Sequence, residues 1–81
     1  MAIVKNTDFL CVKACIFKRR KVIGRRDTFL RISYINEFFD TKIDGVSFCC
    51  FSLSDGTFIY VGDVTADDIA LAMKDGGGTC F

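Results

Sequence analysis

Eighty-one residues, 51% of them apolar and nine of them Phe, with a net charge of +1, fit a single small domain. Its apolar surface is enough to offset chain entropy without a metal or disulfide staple. The apolar stretches are broken well short of the roughly 20 residues that a bilayer requires, so no membrane span is expected. The chain has no histidine, which removes the commonest general base and the commonest metal ligand.

At the N-terminus, MAIVKNTDFL lacks the basic end, apolar stretch and small-residue cleavage site of a secretory signal. Cys11, Cys15, Cys49, Cys50 and Cys80 make an odd number, so at least one thiol stays free in a monomer. Both features favour a reducing, cytoplasmic setting in which buried cysteine acts as a small hydrophobe.

Residues 9 to 17, FLCVKACIF, are rich in β-formers and largely apolar on both sides, which predicts a central strand. RKVIGRRDTFLRI follows as a second strand, with Gly24 interrupting it as a bulge or turn would. Ser33 then suits a helix N-cap, Ile35, Phe38, Phe39 and Ile43 fall at helical spacing, and Gly45 suits a stop. These signals predict a helix over 34–43.

Two apolar runs around Ser54-Asp55-Gly56-Thr57 predict a hairpin of strands 46–53 and 57–62. VTADDIALAMKDG predicts a closing helix. Thr65 is its N-cap, Asp67 and Asp68 sit in the first turn, Val64 staples onto Ile69, and Gly76 ends it.

Together these elements predict an α+β fold: a mostly antiparallel four-stranded sheet with two helices, in ββα-ββα order. Residues 1–81 form one domain, with 9–45 and 46–78 as its two units and 76–81 as a flexible Gly-rich tail. That tail would act as a tether, docking Phe81 on an apolar surface or leaving it exposed.

Charge is divided unevenly. Residues 1–40 hold nine Lys and Arg against four acids, net +5, and residues 41–81 hold two against six, net −4. Within the basic part, Lys18, Arg19, Arg20, Lys21, Arg25 and Arg26 crowd into nine positions. They would grip an acidic protein surface or phosphates, or serve only to keep a strand edge from pairing with another chain. The small net charge weighs against nucleic acid, as does the placement of Phe51, Phe58 and Tyr60, the aromatics that would stack bases, in the acidic half.

No cofactor or metal is expected. Cysteines four apart on a strand lie about 13 Å apart, too far for one tetrahedral ion, and Cys49 and Cys50 point to opposite faces. Asp63, Asp67 and Asp68 would contact a basic partner, although capping and turn roles account for them equally well. Cys15, near Lys13 and the arginines, is the one candidate nucleophile, and no histidine stands by to activate it.

The expected function is therefore that of a non-enzymatic interaction module, an inhibitor or adaptor of the kind a virus or mobile element makes, binding a larger protein through a polarised charged surface. The alternative is nucleic-acid binding through the hairpin 18–26. A homodimer is permitted by the charge asymmetry and required by nothing in the sequence.

Overall fold

The structure, a computed structural model, describes residues 9–74 and Phe81. The N-terminal segment before Phe9, the helix stop at Gly76 and the glycine tail through Cys80 lie outside the described residues.

Five strands and one α-helix follow in chain order: β1 (Phe9–Lys18), β2 (Lys21–Arg31), a 3-10 turn (Ile32–Tyr34), β3 (Ile35–Ile43), β4 (Val46–Leu53), β5 (Phe58–Gly62) and α1 (Ala66–Lys74). All the strand pairs are antiparallel, in the order β2-β1-β5-β4-β3. This corrects the expected four-stranded sheet with two helices in ββα-ββα order. The molecule is mostly sheet, and the segment 34–43 is a strand.

The reason lies in that segment's composition and in its turn. Ile35, Phe38, Phe39, Thr41 and Ile43 are β-branched or aromatic, residues that pack well on a pleated surface and lose side-chain freedom in a helix. Asp44 (φ 51°) and Gly45 (φ 83°) are both left-handed, which turns the chain in two residues from Ile43 into its partner Val46. This is the primed turn that Asp-Gly favours. Gly45 therefore reverses a hairpin where the sequence suggested that it stops a helix.

Elsewhere the local signals translate directly. The two-sided apolar strand β1 sits between β2 and β5. The register slips where Ile16 faces Gly24 and Phe17 faces Val22, which leaves Ile23 as the bulged residue. At the Asp55-Gly56 turn, the Gly56 amide donates to the Leu53 carbonyl (3.0 Å) and the Thr57 amide to Asp55 Oδ1 (2.9 Å).

The start of α1 is a reciprocal cap. The Thr65 amide donates to Asp68 Oδ2 (3.1 Å) and the Asp68 amide to Thr65 Oγ1 (3.2 Å). Asp40 on β3 accepts the Ala66 amide (2.8 Å), which ties the helix start to the sheet.

Cross-strand register divides the side chains between two faces. Leu10, Val12, Leu30, Cys49, Phe51 and Val61 point to one face, where Ile69 of α1 completes a fully buried core. Phe38 stacks on Phe51 at 5.7 Å. Phe48, Cys50 and Tyr60 point to the other face, where Phe17 meets the Phe48 and Tyr60 rings edge-on, at 5.5 Å in each case.

Strand twist decides how the hairpin β1–β2 crosses the meander β3–β4–β5. The two are joined in register only at Ala14↔Val61, so the long hairpin rotates across the meander. Opposite corners then approach each other. The end of β2, the start of β1 and the 53–57 turn converge where Arg31 lies over the rings of Phe9 (5.1 Å) and Tyr34 (5.7 Å), and where the Tyr34 carbonyl accepts the Ser54 amide (2.8 Å). At the other diagonal, the β1–β2 tip reaches the β3–β4 tip.

Phe81 fills the edge of β1 beyond the end of β5. Its amide donates to the Cys11 carbonyl (2.9 Å), the Lys13 amide donates to its carbonyl, and its side chain packs against the core. No helix among the described residues is long and apolar enough to cross a membrane.

Candidate functional site

The meeting of the two hairpin tips creates a groove of about 450 Å³, within the ordinary range for ligand sites. Phe48 and Gly62 form its floor, Val22, Ile43 and Val46 its apolar sides, and Arg20, Lys21, Arg25, Asp44 and Asp63 its charged rim. Gly62 is enclosed by Arg25 Nη2, Cys15 Sγ and Phe48 Cδ1, all within 4 Å of where a Cβ would stand.

Two ion pairs span the groove. Arg20 Nε lies 3.3 and 3.4 Å from the two Asp44 oxygens, and Arg25 Nη2 lies 3.5 Å from Asp63 Oδ2. Both are longer than the 2.7–2.9 Å of a tight charge-assisted bond, and all four side chains are more than half exposed. Each is worth at most about 1 kcal/mol.

The six cations expected to act together are only partly gathered. Arg20, Lys21 and Arg25 line the groove, and Lys18 and Arg19 extend from the same turn. Arg26 faces Ala14 in register, so it projects from the opposite side of β2 to Arg25. Among the described residues, the ion pairs of these six cations are those to Asp44 and Asp63.

The tip has an unusual backbone. Arg19 (φ 51°) and Arg20 (φ 67°) both occupy the left-handed region, forming a two-residue primed turn without the Asn or Gly that such turns favour. The left-handed conformation costs an ordinary L-residue roughly 1–2 kcal/mol.

Of the expected acidic contacts, Asp63 joins the groove through Arg25, Asp68 is engaged in capping α1, and Asp67 is exposed on the first turn. Asp44, which sequence reasoning passed over, is the groove's other acid. The Asp-Gly pair that follows Ile43 carried the signal for it. Phe51 belongs to the core and lies on the opposite face from Tyr60, so Phe51, Phe58 and Tyr60 do not form one stacking platform.

The cysteines are separated by position. Cys11 takes part in a disulfide, while Cys15, Cys49 and Cys50 are free. Burial pushes the Cys49 thiol up to about 11, with the charge of Asp40 adding to the effect. Burial also raises Cys50, against the opposing hydrogen bond of Tyr60. Both thiols are protonated at neutral pH and therefore poor nucleophiles. Cys15 is half-buried beside Gly62 and opposite Arg25 in register.

No protein family, no curated protein and no solved structure matches this chain.

Proposed function

We propose that this chain is a non-enzymatic protein-interaction module, an inhibitor or adaptor, that engages a larger partner through the β1–β2 tip and the groove beneath it. The observation that carries this reading is the Arg19-Arg20 turn. Two arginines are held in a backbone conformation that Asn-Gly would adopt at less cost, within four consecutive cations that repel one another. Local strain that the fold itself does not require points to use of the side chains.

An acidic protein surface fits this tip better than a phosphate track does. Asp44 and Asp63 line the groove and would repel phosphates, while Arg26 projects from the other side of the strand. The apolar sides of the groove add a place for a partner's side chain, as in the buried centre of a protein interface.

The test is a lysate pull-down, with and without nuclease, at 50 and 200 mM salt. It compares the native chain with a variant carrying alanine at Arg19, Arg20, Arg25 and Arg26. A defined protein that survives nuclease and the higher salt, and is lost with the variant, is the expected result. Recovery of only nuclease-sensitive material would overturn the reading in favour of nucleic acid, for which about four phosphate contacts predict a roughly 100-fold loss of affinity between those salts.

A further inference from the structure

We propose that Asp44 and Asp63 are internal stand-ins for the partner's own carboxylates, and that the groove binds an extended acidic segment with an apolar side chain between its acids. This inference rests on the interaction reading above and specifies the partner's chemistry at the same site.

The two internal ion pairs are long and poorly aligned. Arg20 presents its inner Nε to Asp44, and Arg25 reaches Asp63 through one terminal nitrogen, at 3.3 to 3.5 Å. A guanidinium is a rigid fork that binds carboxylate best through two parallel bonds. Neither internal pair takes that form. The Asp63 side chain is 87% exposed, so solvent competes for it throughout.

Both acids stand in left-handed turns, at φ 51° for Asp44 and 63° for Asp63, where their backbones restrict how far the carboxylates can follow the arginines. An incoming glutamate has no such restriction and can meet either guanidinium with both oxygens. Between the two arginines, the floor and walls are Phe48, Val22 and Val46, of which Val22 and Val46 are exposed. Every second side chain of an extended segment shares a face, so acid, apolar and acid at its first, third and fifth positions would place charges on Arg20 and Arg25 and bury the middle side chain against the exposed Val22 and Val46. Lys21, with no acid of its own in the groove, leaves a cationic excess that favours such a ligand.

Competition of this kind predicts that removing the internal carboxylates tightens binding. The probe is a fluorescently labelled pentapeptide with glutamate at its first and fifth positions, leucine at its third and serine at the other two, followed by anisotropy. The comparison peptides replace glutamate with glutamine, and a labelled thymidine oligonucleotide is run in parallel. Asn tolerates the left-handed conformation, so Asp44→Asn and Asp63→Asn leave both turns intact. Together they should tighten the Kd about three- to tenfold, the amount that two exposed pairs withhold.

A second double variant, Asp55→Asn with Asp67→Asn, changes net charge equally but away from the groove, and should shift the Kd less than about twofold because salt screens it. Arg20→Ala and Arg25→Ala should each weaken binding at least about fivefold.

Equal effects of the two Asp-to-Asn pairs, with the arginine variants still weakened, would overturn the stand-in role and leave the basic-tip interaction standing. Equal binding of the glutamine peptide, or no binding of the glutamate peptide, would overturn the acidic ligand. The pull-down would then judge the interaction reading by itself. Tighter binding of the oligonucleotide, responding to the same arginine variants, would overturn both.

Discussion

On the helix side of the sheet, Val12, Phe51, Val61 and Ile69 are completely buried, whereas on the opposite side Phe17 and Tyr60 cover Phe48 while Val22 and Val46 beside it remain open to solvent. The first side is closed by a capped helix that Asp40 pins to β3. The second holds a small aromatic cluster of Phe17, Phe48 and Tyr60, but its margin is closed only by the hairpin's own curl and by two long, exposed ion pairs. Buried apolar area is worth far more than exposed charge pairs, so stability concentrates on one face and adaptability on the other.

Substitution at the centre of the closed face should give the largest effect. Phe51 is fully buried, stacks on Phe38 and lies opposite Ile59 in register. Phe51→Ala should cost about 3–5 kcal/mol in denaturant unfolding, near the whole stability of a domain this small. Alanine at Val46, on the rim of the open face, should cost less than about 1 kcal/mol. Similar costs at the two sites would break the contrast between the faces.

How much of this contrast could be read from the sequence depends on how far apart the interacting residues lie. The Asp55-Gly56 hairpin, the Thr65 cap and the two-sided β1 are local patterns, and each appears within a residue or so of its expected place. The segment 34–43 misled because Ile35, Phe38, Phe39 and Ile43 satisfy a helical spacing, while pairing with β4, a long-range event, decides the outcome.

Gly45 was open to two local readings, and only the Ile43↔Val46 pairing separates them. For the site, crowding of cations was visible but their companions were not. Arg20 meets Asp44 and Arg25 meets Asp63 through sheet twist acting over a single register contact, which no spacing rule reports.

Alkali sharpens the contrast at an intermediate scale. Cys49 lies within the closed face, and its thiol is raised from 9.0 to about 11. In the unfolded chain the thiol loses its proton near pH 9, while in the fold it keeps the proton until about pH 11. The folded state thus binds more protons over this window, and stability must fall as pH rises through it. Thermal unfolding between pH 8 and 11 should show this decline, and Cys49→Val should reduce it. A decline of the same size in Cys49→Val would assign it to other groups, of which Cys50 and Tyr60 are also raised by burial.

The smallest effect is the most discriminating because it should have opposite signs in two assays. Replacing the tip residues by Arg19→Asn with Arg20→Gly supplies the side chains that a primed two-residue turn favours. Relief of left-handed arginine should stabilise the fold by about 1 kcal/mol, after allowance for the lost Arg20–Asp44 pair and the added freedom of glycine in the unfolded chain. For a domain of this size that corresponds to a rise of roughly 4–8 °C in Tm. The same variant removes two of the tip's four cations and one of the two groove arginines, so affinity for the acidic probe should fall. A stabler protein that binds less would establish that the arginines are kept at the tip at the expense of the fold. A variant that is no stabler would mean that the turn accommodates arginine without strain, and the contrast between the faces would then rest on burial alone.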